Sequence, residues 1–128
     1  MKLLLDTHAL YWWLTDQGRL TPTARVAIAA IDNEIYVSIA SPWEMAIKVG
    51  SGKWAGATRI VDDFEDNVAA EAFRILPITV PHVRTAGLLQ SPHRDPFDRL
   101  LAAQAQIEGL TLVTADLKLA GLGAPILW

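Results

Sequence analysis

The sequence predicts an α/β fold, a three-layer α/β/α sandwich whose central sheet is parallel and carries helices on both faces. Three observations lead there. Short apolar runs without polar alternation recur along the chain, as in strands covered on both sides. Amphipathic segments lie between them, most with the dozen or more residues that a parallel crossover requires. The chain has 128 residues, 52% of them apolar, which suffices for one domain with a sizeable core, so residues 1–128 are read as a single unit.

The first strand is "KLLLD" at 2–6, followed by a helix over 8–15. Trp12 and Trp13 are neighbours there, and adjacent helical side chains point about 100° apart. Only one of the pair can enter the core; the other is expected at an interface or on the rim of a site. "TPTARVAIAAI" predicts a helix over 22–31 with Pro22 in its first turn. "IYVSIA" at 35–40 is the second strand, and "SPWEMAIKVG" opens a helix over 42–50 that stops at Gly50. "VGSGKWAG" at 49–56 reads as a loop. Val61, Phe64, Val68 and Ala72 form one apolar stripe, which predicts a helix over 60–72. "ILPIT" at 75–79 is the third strand, followed by helices over 81–89 and 96–108. "LTLVTAD" at 110–116, a short turn over 117–121 and "PILW" at 125–128 complete the pattern. There is no internal repeat, low-complexity tract or flexible linker.

Composition removes several function classes. Eleven Lys and Arg against fourteen Asp and Glu give a net charge of −3, so no broad basic field marks a sequence-independent phosphate binder. A nuclease that holds cations beside its substrate stays open, because bound divalent ions invert the electrostatics of an acidic site. Cysteine is absent, which excludes disulfides, thiolate zinc sites and cysteine nucleophiles. No stretch has the roughly 20 apolar residues of a membrane span, and the three leucines before Asp6 are too few for a signal peptide. A cytoplasmic protein without membrane contact is the expectation.

Four acids stand where helices begin: Asp6 after the first strand, Glu44 in "SPWE", Asp98 in "DPFDRLLAAQAQIEG" and Asp116 in "LVTAD". Each has a local explanation. Asp6 and Asp116 suit N-caps, Ser41 and Glu44 have capping-box spacing, and Asp98 complements a helix dipole. Strand-to-helix turns of a parallel sheet, however, share the carboxyl edge where open α/β sheets place their ligands. Two unit charges about 4 Å apart cost on the order of 4 kcal/mol at an effective dielectric near 20, against a domain stability of roughly 5–15 kcal/mol. Converging acids must then be partly protonated or share a cation. Oxygen donors without cysteine or a histidine cluster suit Mg²⁺, with Mn²⁺ as a substitute.

"LLLDTHALYWWL", "SIASPWEMAIKVGSGKW" and "HRDPFDRLLAAQAQIEGLTLVTAD", in this order and spacing, resemble a PIN domain, more narrowly the toxin nuclease of a VapBC-type toxin–antitoxin pair. The resemblance implies a sheet of order 3-2-1-4-5. It implies that Asp6, Glu44, Asp98 and Asp116 are the catalytic acids that coordinate Mg²⁺, with a metal-activated water hydrolysing RNA phosphodiester bonds. It further implies a VapB-type antitoxin and a toxin homodimer.

Asp95 competes with Asp98: it suits the N-cap ahead of Pro96, while the family pattern of an acid followed by two residues and then an aliphatic–Ala–Ala run fits "DRLLAA" and selects Asp98. Thr7 and Thr114 neighbour two of the acids, as carboxylate-orienting groups or as ordinary turn hydroxyls. Lys48, Lys53, Arg94 and Arg99 are candidates for phosphate contacts or for solvated faces and ion pairs, Glu44 and Lys48 being four apart on one helix. His8, His82 and His93 are read as making local hydrogen bonds. A receiver-type phosphoacceptor lacks its acid pair ahead of Asp6, and a haloacid-dehalogenase-type phosphatase would need an acid where His8 stands. The remaining alternative is a PIN-like binding module with little or no turnover.

Overall fold

The computed structural model describes residues 1–128. Five parallel strands, β1 (Lys2–Leu5), β2 (Glu34–Ser38), β3 (Arg74–Leu76), β4 (Thr111–Val113) and β5 (Ile126–Leu127), form one sheet of order β3-β2-β1-β4-β5. Seven helices connect them: α1 (Thr7–Thr15), α2 (Pro22–Ala29), α3 (Ala40–Gly50), α4 (Thr58–Asp62), α5 (Phe64–Ala70), α6 (Val80–Leu88) and α7 (Pro96–Glu108). The α/β class and the 3-2-1-4-5 order agree with the sequence reading.

β1 is central because its three leucines suit two different cores. Leu3 and Leu5 are wholly buried on one face, paired in register with Ile35 and Val37, and packed with Leu10, Ile28, Met45 and Phe64. Leu4, paired with Leu112, points the other way into a core with Leu100, Leu101 and Leu119. This two-residue alternation between two apolar layers is why the run carries no polar residue.

The strands are shorter than predicted, and side chains explain where they stop. Ser38 Oγ accepts the Ala40 N–H at 3.0 Å, turning the chain into α3 two residues earlier than expected. Thr114 Oγ1 does the same for the Asp116 N–H at 3.0 Å, ending β4 at Val113. Such bonds offer the backbone an alternative to the strand ladder. Pro77, which has no N–H to donate, follows β3.

Two further expectations are corrected. The stripe over 60–72 is two helices, because Asp63 leaves helical geometry at φ −113° and ψ 31°; Phe64 and Val68 still reach the core. Neither tryptophan of the adjacent pair is fully buried. Trp12 meets Trp128, His8 and the Arg19 guanidinium, whereas Trp13 packs on Phe73 and donates to Glu71 Oε2 at 2.9 Å. Both lie half-buried against the same core.

Candidate metal centre

From β1 the chain moves outward through β2 to β3, then crosses to β4 on the opposite side of β1. The carboxyl ends of β1 and β4 therefore flank the switch point, the usual ligand crevice of an open sheet. Asp6 follows β1 directly, and Asp116 lies three residues beyond β4.

Asp6 is the N-cap of α1, accepting the Ala9 N–H at 2.7 Å, yet it is only 9% exposed. Burial dominates its electrostatics and raises its carboxyl from 3.8 to about 6; hydrogen bonds from Thr114 and Ala9 oppose the rise, and the charges of Glu44 and Asp116 add to it. Thr114 thus lies close enough to Asp6 to favour its ionised form, while its Oγ1 accepts the Asp116 N–H and anchors that backbone. Thr7 instead meets Ser41 Oγ at 3.1 Å, tying α1 to α3.

Glu44 is not half of a capping box. Because α3 begins at Ala40, Ser41 and Glu44 lie inside the helix, and Glu44 is buried at 6% exposure with its Oε2 2.8 Å from Lys48 Nζ. A buried carboxylate with one half-buried ammonium partner is not explained by helix capping. Lys48 is accordingly an ion-pair partner, and it also lies over the Trp54 ring.

Asp95 and Asp98 divide their duties. Asp95 Oδ1 caps α7, accepting from Phe97 N–H at 2.9 Å and Asp98 N–H at 3.2 Å. Asp98 Oδ2 faces His93 Nε2 at 2.9 Å. Burial raises the Asp98 carboxyl to about 6; the His93 bond and charge pull it down, and the charges of Asp95 and Glu44 push it up. One ligand atom each from His93, Asp98 and Asp116 lies within 4.8 Å of the others. Asp6 and Glu44 lie outside that triad, but Asp6 feels Glu44 and Asp116, and Asp98 feels Glu44. The four acids form one electrostatically coupled group.

His93, Asp98 and Asp116 open onto a cleft of about 770 Å³ shared with Asp95, Arg94 and Lys118. Arg94 and Lys118 are exposed there. Arg99 is a correction: it donates to the carbonyls of Ala86 at 3.0 Å, Leu89 at 2.6 Å and His93 at 2.9 Å, so its guanidinium holds the α6–α7 connection rather than facing the cleft as a phosphate contact. Of the three histidines, His82 is wholly buried, with Nδ1 accepting from Thr79 N–H at 3.0 Å and Nε2 2.8 Å from Glu108. His8 stacks on Trp54 with ring centroids 4.9 Å apart, and burial lowers its pKa. His93 does make a local hydrogen bond, but with an acid of the cluster. The sequence signal was its place five residues ahead of Asp98.

The PIN domain family model matches residues 3–124. The chain belongs to the PIN domain family. Its curated relatives include Ribonuclease VapC22 of Mycobacterium tuberculosis, 35% identical over 118 residues, covering 91% of this chain and 88% of the relative. Among solved structures, VapBC2 from Rickettsia felis, bound to a DNA fragment from its promoter, has a TM-score of 0.67 at 17% identity, covering 99% of this chain and 98% of its own. A toxin–antitoxin complex from Klebsiella pneumoniae matches with a TM-score of 0.67 at 22% identity, covering 98% of this chain and 96% of its own. At these identities the structures bear on the fold alone. The strand order explains why Asp6 and Asp116, 110 positions apart in sequence, follow neighbouring strands β1 and β4.

Proposed function

We propose that this PIN-domain protein is a Mg²⁺-dependent endoribonuclease, the toxin of a VapBC-type pair, and that Asp6, Glu44, Asp98 and Asp116 hold the cation. The observation that carries the reading is that ligand atoms of His93, Asp98 and Asp116 converge on one cleft, while burial raises the carboxyl of Asp98 there, and that of Asp6 behind it, to about 6. Folding sustains such a cost where a ligand repays it. The donor set fits a hard divalent ion, with carboxylate oxygens predominating and no thiolate. The 35% identity to a ribonuclease over nearly the whole chain supports the same activity.

When bound, such a cation lowers the pKa of a water ligand and offsets charge developing on the phosphoryl group. The chain's own residues supply the rest. Thr114 favours the ionised form of Asp6, and Lys48 balances Glu44. Arg94 and Lys118, exposed on the cleft wall, neutralise the phosphates flanking the scissile bond, which a chain of net charge −3 does not do with its overall field.

The antitoxin and a second toxin chain are proposed as protein partners in the cytoplasm. Ile39, the N-cap of α3, and Trp43 and Ile47 within it are spaced four apart, are 42%, 54% and 49% exposed, and supply apolar area for a protein contact. No helix is long and apolar enough to cross a membrane.

The test incubates purified protein with a pool of structured RNAs in Mg²⁺, in EDTA, and as Asp6→Asn. Cleavage should require both the metal and Asp6. Cleavage that survives chelation and the substitution would refute the mechanism, and RNA binding without cleavage would establish the binding-module alternative.

A further inference from the structure

We infer that His93 is itself a ligand of the divalent cation, its Nε2 joining Asp98 and Asp116 in a mixed nitrogen–oxygen face that makes the site favour Mn²⁺ over Mg²⁺. This rests on the metal-dependent reading above and goes beyond its four acids.

The first support is distance. His93 Nε2 and Asp98 Oδ2 are 2.9 Å apart, and both lie within 4.8 Å of a ligand atom of Asp116. Adjacent ligands of an octahedral ion with bonds of about 2.1 Å are about 3 Å apart. The pair therefore already stands at the spacing of two neighbouring ligands, and an ion can replace the proton between them without moving the backbone. With the neutral ring's proton on Nδ1, the Nε2 lone pair is free for the metal.

The second support is how firmly His93 is held. Its N–H donates to Ser91 Oγ at 3.2 Å, and its carbonyl accepts from Arg99 Nη1 at 2.9 Å. Arg99 follows Asp98 on α7, and the same guanidinium grips Ala86 and Leu89. The segment bearing the imidazole is thus clamped by the helix that bears the carboxylate, so the two donors move as one body. A loop histidine that merely faced solvent would need no such clamp. The imidazole is only 16% exposed, on the wall of the polar cleft.

The third is donor chemistry. Mg²⁺ takes oxygen ligands and keeps its waters, whereas imidazole raises affinity for Mn²⁺ and the later divalent metals. One nitrogen among carboxylates shifts the preference without excluding Mg²⁺.

The competing account keeps His93 outside the coordination sphere, as a hydrogen-bond donor that orients Asp98. Pulsed EPR of the full-length protein loaded with Mn²⁺ separates the two, because a coordinated imidazole couples its nitrogen to the Mn²⁺ electrons and an outlying one does not. Wild type should show nitrogen modulation, His8→Ala should retain it and His93→Gln should lose it. Titration calorimetry should show Mn²⁺ affinity falling at least about tenfold in His93→Gln, the low end for loss of an outer partner, and Mg²⁺ affinity falling less. The glutamine amide can still donate to Asp98, so a purely orienting role would be rescued. If His93→Gln fails to melt cooperatively, the His8→Ala spectrum decides alone, since both nitrogens of buried His82 are engaged. Tight Mn²⁺ binding without nitrogen modulation overturns the His93 inference and leaves the nuclease proposal standing. Failure of wild type to bind either metal overturns both.

Discussion

Replacing Asp6 by Asn should stabilise the metal-free protein at neutral pH while abolishing its response to metal. The Asp6 carboxyl is raised from 3.8 to about 6, chiefly by burial. A difference of that size means its ionisation costs on the order of 3 kcal/mol more in the fold than in the unfolded chain. Asn keeps the capping oxygen that accepts the Ala9 N–H at 2.7 Å, but it loses roughly 1 kcal/mol of charge-assisted bonding. The net gain is about 1–2 kcal/mol, a rise in Tm of roughly 3–10 °C for a chain of this length. The sign follows from proton binding. Between pH 3.8 and about 6 the folded state holds a proton at Asp6 that the unfolded chain has released, so wild-type stability is highest below the window and declines as pH rises through it. Asp6→Asn lacks that component, so the Tm difference between the two proteins should be small near pH 4 and reach its full size above pH 7. Thermal melts in chelator across that range measure it directly. Added Mg²⁺ or Mn²⁺ should then raise the Tm of wild type and leave Asp6→Asn almost unmoved. A Tm that falls by several degrees in metal-free Asp6→Asn at pH 7.5 would mean that the ionised Asp6 carboxylate stabilises the fold and that the argument from its burial is wrong.

Asp95 and Asp98 should respond oppositely. Asp95→Ala removes the cap of α7 and should cost about 1 kcal/mol while metal binding measured by calorimetry persists. Asp98→Asn should preserve or raise the metal-free Tm at neutral pH, since its carboxyl is also raised to about 6, and should lose metal binding. Arg99→Ala should destabilise by about 2–4 kcal/mol in urea denaturation, because it leaves several carbonyls at the end of α6 without their charged donor. Arg99→Lys should not restore it, since one ammonium cannot span the positions a planar fork reaches.

How much was legible in the sequence depends on whether the controlling interaction was local. β1 was readable because three leucines in succession leave no polar face, and the starts of α2 and α7 were readable because Pro22 suits a first turn and Asp95 caps its own helix within three residues. The strand order came from resemblance to the PIN family, and the sheet bears it out. Strand ends were misjudged where Ser38 and Thr114 take backbone N–H groups two residues onward, a competition that apolar content does not register. The amphipathic stripe around Asp63 looked continuous because the core needs Phe64 and Val68 on one side whether or not the helix is unbroken.

By itself, the sequence determined the alternation of strands and helices and placed acids at the starts of several of those helices, since hydrophobic period and turn chemistry act over a few residues. Only the tertiary structure decided which side chain each charged group meets. Glu44 is buried against Lys48 because α3 starts early, Arg99 serves the carbonyls of α6, and His93 stands beside Asp98 and Asp116. The physical reason is that electrostatic and hydrogen-bond partners are chosen by distance in space, and it is the folding of β1 between β2 and β4 that brings Asp6 and Asp116 near enough for their charges to interact.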